Sequence, residues 1–189
     1  MKKQTSDNDL SYLVSNFDIE AKFKGQHIKV ITYPQLKDYH SIEELLPEDK
    51  SACFILIKTS LNAGHWTCLV RDHNNVYYFD SYGVKPDGEL KNINEHLRYE
   101  LGEGHHFLIN LIDSSRFNVK YNQFQFQSYH ENINTCGKWC VIFAKSVIEG
   151  LTLKAFVAGI RHLKVIYEKE HPGEDYVFDR IASMLYTTY

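Results

Sequence analysis

The chain has 189 residues, 43% hydrophobic, 14% aromatic and 24% charged, a balance that fits one folded domain with its own core and excludes a disordered or low-complexity chain. Its formal net charge of −3 gives no overall positive field for nucleic acid or an anionic membrane. No stretch approaches the roughly 20 apolar residues needed to span a bilayer.

The opening "MKKQTSDNDLSYL" begins basic and turns polar and acidic, so it does not read as a secretory signal. Residues 1–8 are expected to form a flexible tail on a single domain spanning 1–189. Four cysteines without a signal predict reduced thiols in a cytosol-like compartment. "DLSYLVSNF" predicts a short helix with Leu10, Leu13, Val14 and Phe17 on one face. "HIKVITY" predicts a strand ended by Pro34, and "SIEELLP" a short helix opened by Ser41.

Three β-rich runs follow, "ACFILIK", "HWTCLVR" and "VYYFDSY". The second and third are joined by "DHNN", a hairpin composition, with either Asp72–Asn75 or Asn74–Asn75 as the loop. "DGELKNINEHLRYEL" predicts an amphipathic helix with Leu90, Ile93, Leu97 and Leu101 on its apolar side, and "FLINLID" and "FNVKYNQFQFQ" predict further strands. The remainder reads as helices, "LTLKAFVAGIRHLKVIYEKEH" and "DYVFDRIASMLY". Strands in the middle and helices at both ends give an α+β fold, a central mostly antiparallel sheet packed against a helix that begins at Cys136.

In "NTCGKWCVIFAKSVIEG", residues 134–150, a cap at Asn134 or Thr135 places Cys136 in the first helical turn. Cys140, Phe143, Ala144, Val147 and Leu151 then form the apolar stripe. Unpaired N–H groups and the positive end of the dipole favour a thiolate at Cys136, and Gly137 permits close approach. Cys140, Cys53 and Cys68 read as small core residues. A Cys136–Cys140 disulfide is disfavoured by the geometry of one helical turn.

A nucleophilic cysteine needs a base, and the base an orienting group. Of ten histidines, His65 stands apart at the entry of its strand, directly after Gly64. With Arg71 opposite Val76, opposed residues sum to 147, so His65 opposes Tyr82 and lies diagonally from Asp80 on the same face. That places a carboxylate where it can hold an imidazole tautomer. The Cys136 N–H is one donor for an oxyanion, and Gln127, from the set Gln125, Gln127, Asn132 and Asn134, is chosen as the second.

The ordered set "GHW", "YYFDSYG", a glutamine and "TCGKWCVIF" resembles the adenain and SUMO-protease group of cysteine proteases, most closely the viral maturation proteases of virophages and polinton-type elements. The resemblance is specific from about Gly64 to Ala144. It implies an adenain-like, papain-related fold, with His65 as general base, Asp80 as its orienter, Cys136 as nucleophile, Gln127 as oxyanion donor and Trp66 beside the substrate channel. Gln127 precedes Cys136 by nine residues, a longer gap than is usual in the group, so either "SYHENIN" bulges or another amide takes the role.

The implied activity is a thiol endopeptidase with no cofactor or metal, cleaving viral capsid or other structural polyproteins after small or glycine-type residues, in the virion and at the assembly site in the host-cell cytoplasm. Adenovirus members of the group are stimulated by a viral peptide and by DNA. An activating peptide is therefore an implied partner, whereas the acidic balance gives DNA no support. A deconjugating protease for ubiquitin-like modifiers and an acetyltransferase would use the same triad. A zinc-stabilised binding module would draw on His65, Cys68, His73, Cys136 and Cys140, but the odd spacing of His65 and Cys68 puts them on opposite strand faces and the pattern matches no common finger.

Overall fold

Five strands form one sheet in the order β1-β2-β3-β4-β5 in the computed structural model, which describes residues 10–189; the tail expected over 1–8 lies outside these. The strands are β1 (Ile28–Thr32), β2 (Ala52–Lys58), β3 (Gly64–Asp72), β4 (Asn75–Asp80) and β5 (Asn118–Tyr121). The central pairs β2–β3 and β3–β4 are antiparallel, and the outer strands β1 and β5 pair parallel to their neighbours. Parallel pairing needs a crossover, and these crossovers carry much of the second layer. Between β1 and β2 run the 3-10 helix Tyr33–Asp38 and α2 (Ile42–Leu45), capped by Ser41. Between β4 and β5 run the 3-10 helix Gly88–Asn92, α3 (Glu95–Glu100) and α4 (Phe107–Asp113).

Both sheet faces are covered, which explains why "ACFILIK" is a continuous apolar run rather than an alternating one. One face carries Phe54, Cys68, Val70 and Phe79 against α1 (Asn16–Lys22), α5 (Cys136–Ile148), α6 (Leu153–Glu170) and α7 (Val177–Tyr186). The other carries Cys53, Ile55, Ile57, Leu69 and Tyr78 against the crossover segments, through Leu36, Leu45, Leu90, Leu108 and Leu111. No helix among the described residues is long and apolar enough to cross a membrane.

The β3–β4 register follows the sum of 147, with Arg71 opposite Val76 and Thr67 opposite Asp80. Its loop is two residues long but placed differently from both expected forms: Asp72 and Asn75 are paired, and only His73 and Asn74 turn, His73 at φ 55. A two-residue hairpin loop of this kind matches strand twist through positive φ.

Four expected elements differ. The helix expected in "DLSYLVSNF" is interrupted: residues 12–15 are not helical, and α1 starts at Asn16 under a capping box between Ser15 and Asp18. Leu10 and Val14 are buried, but Leu13 and Phe17 are 61% and 76% exposed, and Ile19 and Phe23 face the core instead. "FLINLID" is α4, not a strand; its run lacks alternation, and Leu108 and Leu111 bury one helical face. "DGELKNINEHLRYEL" breaks at Ile93–Asn94, because the Asn94 side chain accepts from Leu97 N–H and starts α3 afresh. In "FNVKYNQFQFQ" the ladder stops at Tyr121: the Asn122 amide accepts from Asp80 N–H at 2.9 Å and donates to Asp80 C=O at 2.7 Å, replacing the backbone partner. On α5, Leu151 lies beyond the helix end and is half-exposed, so the buried stripe stops at Val147.

Candidate active site

The site forms where β4 ends short of β3. Arg71 N–H bonds to Ser51 on the β2 side, so by strand alternation the peptide groups of even-numbered β3 residues face β4. Trp66 would next exchange backbone bonds with Ser81. Ser81 C=O instead accepts from the N–H groups of Phe126 and Gln127. The freed peptide edge of Trp66 faces two cysteines one helical turn apart on α5: Cys140 Sγ lies 3.3 Å from Trp66 C=O, and the Trp66 N–H helps to lower the pKa of the Cys136 thiol. The α5 N-terminus is thereby aimed at the strand entry that carries His65.

Thr135 is the N-cap of α5, but its hydroxyl is turned away to donate to Asp179 Oδ1, while Asp179 Oδ2 accepts from Ser128 N–H at 3.1 Å. A buried carboxylate on α7 thus ties the 128–135 loop to the helix start. Burial alone would raise the Cys136 thiol. The hydrogen bond and charge of His65, joined by the N–H groups of Trp66 and Gly137, reverse this and hold its pKa below the ordinary thiol value.

His65 Nε2 is 3.1 Å from Asp80 Oδ2, both side chains buried. Thr67 is the residue directly opposite Asp80, so this contact runs along the diagonal, as strand parity requires. With Nε2 taken, Nδ1 is the nitrogen left free to serve Cys136. Burial alone would lower the imidazole pKa; the charge and hydrogen bond of Asp80, with those of Cys136, raise it well above its usual value. Asp80 Oδ1 accepts from Tyr82 N–H at 2.7 Å, which fixes the carboxylate plane. Three side chains from β3, β4 and α5 thus form one chain of contacts able to sustain a thiolate–imidazolium pair.

Gln127 is buried and locked, with Oε1 accepting from Ser81 Oγ at 2.8 Å and Nε2 donating to Ile133 C=O at 3.0 Å. The 128–135 segment is turn and coil, tied back to Gln127 through the Ile133 carbonyl. Trp66 Nε1 donates to Val14 C=O at 2.8 Å, and Trp66 lines a cavity of about 230 Å3 with Leu56, Val30, Thr32 and Gln35. Gly137 faces side chains: an added Cβ would stand 2.6 Å from Val14 Cβ and 3.1 Å from Trp66 Cδ1. Gly137→Ala is therefore expected to cost about 1–3 kcal/mol of stability, seen as a thermal midpoint lower by roughly 2–4 °C per kcal/mol. An unchanged midpoint would show that Val14 yields freely.

The residues of the zinc reading are not brought together as a set. Cys68 Sγ lies against Cys140 C=O in the core, and His73 sits in the β3–β4 turn 2.9 Å from Asp72. Asp49, Asp72 and His73 are the one group of candidate ligands clustered among the described residues, and the Lys50 ammonium, 2.6 Å from Asp72, already pairs with one of its two carboxylates.

Several neighbours of the site were not singled out from sequence. Tyr82 stacks on His65 with centroids 4.9 Å apart, and Tyr129 stacks on Tyr82 at 4.2 Å; the first followed from the 147 register, the second had no local signal. Asn122 and Asp179 lay inside runs read only as secondary structure, and Glu89 inside an expected helix.

Fold and site together define an α+β protein with a Cys–His–Asp contact chain at a helix N-terminus. Over 130 residues the sequence is 36% identical to uncharacterized protein V9 of Sputnik virophage, covering 68% of this chain and 73% of that one, and the chain belongs to the family of that virophage protein. No protein-family model matches. Among solved structures, the chain is similar to the ASFV pS273R protease, with 13% identity, 95% of this chain and 69% of that chain covered and a TM-score of 0.48. It is also similar to the SUMO protease Ulp1 with its catalytic cysteine oxidized to a sulfinic acid, with 13% identity, 92% and 75% covered and a TM-score of 0.39.

Proposed function

We propose that the protein is an adenain-like thiol endopeptidase that cleaves viral structural proteins during particle maturation. The observation that carries this reading is buried His65, 3.1 Å from Asp80 on one side and coupled to the Cys136 thiol on the other, with the thiol pKa lowered and the imidazole pKa raised. Kinship with a virophage protein supports the viral setting. The virion and the assembly site in the host cytoplasm are the proposed locations, and capsid or other structural polyproteins the proposed substrates.

The Cys136 thiolate attacks the scissile carbonyl carbon, and the carbonyl oxygen becomes an oxyanion. The Cys136 N–H and the Gln127 Nε2–H not used by Ile133 are the proposed donors to it. Collapse of the intermediate breaks the C–N bond as the His65 imidazolium gives its proton to the departing amine. His65, now neutral, takes a proton from water, whose oxygen attacks the thioester and releases the acid and the sulfur. Asp80 holds the tautomer and stabilises the imidazolium throughout. A small or glycine-type residue is the proposed acyl side of the scissile bond.

The test is incubation of the purified protein with the coat proteins encoded beside it, the control being enzyme pre-treated with iodoacetamide. Coat-protein masses are expected to fall only with untreated enzyme. Cutting by both preparations would remove the thiol from the mechanism, and cutting of ubiquitin-like modifier fusions in place of coat protein would reassign the substrate.

A further inference from the structure

Beyond the triad, the site holds a carboxylate that the proposed chemistry does not use. Glu89, on the 3-10 helix after β4, is only 6% exposed. Its Oε2 accepts from the Asn92 amide at 3.3 Å, while its buried Oε1 has no hydrogen-bond partner in the structure. A buried carboxylate oxygen without a donor is costly and points to a group that arrives from outside. Burial and the nearby Asp80 carboxylate push the Glu89 pKa up, and the charge of His65 pulls it back only in part.

The second feature is the ring stack. Tyr82 covers His65 with the planes 21° apart, and Tyr129 covers Tyr82 at 7°. Tyr129 is 66% exposed, so the stack runs from the buried imidazole to open solvent and ends in a free aromatic face. The charges that reach the Tyr129 hydroxyl are those of Glu89 and Asp80, both carboxylates. An open aromatic face in a negative field attracts cations. His65 delivers its proton to the leaving amine, so the residue bearing that amine departs beside this stack.

We infer that the exposed face of Tyr129, at the solvent end of the stack over His65, takes the cationic side chain of a lysine or arginine on the leaving-group side of the scissile bond. The cation lies on the exposed face of Tyr129, within the field of the Glu89 and Asp80 carboxylates. This assignment rests on the protease reading and adds a substrate class to it.

The experiment uses internally quenched peptides with one glycine-rich acyl side, varied at the residue after the scissile bond among lysine, arginine, norleucine, alanine and glutamate. The wild-type chain is expected to cut the lysine and arginine peptides with kcat/KM about tenfold above norleucine, the size of a partly desolvated cation–π and charge contact, and to cut the glutamate peptide most slowly. In Glu89→Gln the lysine-to-norleucine ratio falls toward one. Tyr129→Ala, on an exposed loop and so not dependent on core packing, lowers the same ratio in part. A flat profile in the wild type, or a ratio kept in both variants, overturns the inference while cleavage itself upholds the protease. Failure to cut any peptide overturns both.

Discussion

A His65→Ala chain is expected to lose peptide cleavage by a factor on the order of ten thousand, since general acid–base help and thiolate formation are lost together. Cys136→Ala should remove acyl transfer altogether. The pH behaviour separates positioning from chemistry. In the intact chain the Cys136 pKa is lowered and the His65 pKa raised. The ion pair therefore exists between the two: it is lost on the acid side as the thiolate takes a proton, and on the alkaline side as the imidazolium gives one up. Without His65 the largest lowering influences on Cys136 disappear, burial dominates, and its alkylation moves to alkaline pH. Iodoacetamide labelling, followed by mass spectrometry for each cysteine across pH, reads this directly. In the intact chain Cys136 should label first at neutral pH, ahead of Cys53, whose thiol is pushed up to about 12 by burial, and of Cys140, pushed well above the usual value for the same reason. Equal labelling of Cys136 in the His65→Ala chain would disprove the pair.

Asp80→Asn should lower kcat by roughly a thousandfold or more with the fold retained. Asparagine can still accept from Tyr82 N–H through Oδ1. Its amide nitrogen, however, would meet His65 Nε2 donor to donor, so the imidazole must change tautomer and present Nδ1–H to the sulfur. The negative charge that raises the His65 pKa is lost as well, and burial then lowers that pKa. The alkaline limb of the rate profile accordingly moves to lower pH. Thermal melting beside the pH–rate profile checks this. Activity within about tenfold of wild type and an unmoved limb would mean that another group orients His65.

Much of the site was legible because its key contact is local in the sheet. His65 and Asp80 are joined by one hairpin, and a period of two with a known turn parity decides which side chains meet. The loop proved to be His73–Asn74 rather than Asp72–Asn75 or Asn74–Asn75, yet His65 and Asp80 stay on one face, because all three turns preserve parity. The start of α5 was legible for a similar reason: a 3.6-residue apolar stripe is written in neighbouring residues, although Thr135 turns its hydroxyl to Asp179 instead of capping the helix. "FLINLID" was misread because a seven-residue apolar run without alternation suits either a buried strand or one face of a short helix, and only packing of Leu108 and Leu111 chooses. "FNVKYNQFQFQ" was overextended because the Asn122 side chain, not its backbone, bonds to Asp80.

The amino-acid order alone determined that Cys136 opens a helix, that β3 and β4 form a hairpin in the 147 register, and that Asp80 reaches His65 across it. These follow from repeat periods and turn chemistry acting over short chain separations. Only the tertiary structure decided that β4 stops short and leaves the Trp66 peptide edge facing Cys136 and Cys140, that Gln127 is clamped between Ser81 and Ile133, that Asp179 holds Thr135, and that Tyr129 completes the stack over His65. Those contacts join segments tens of residues apart, where no local period specifies the partner and close packing of the two sheet faces selects it.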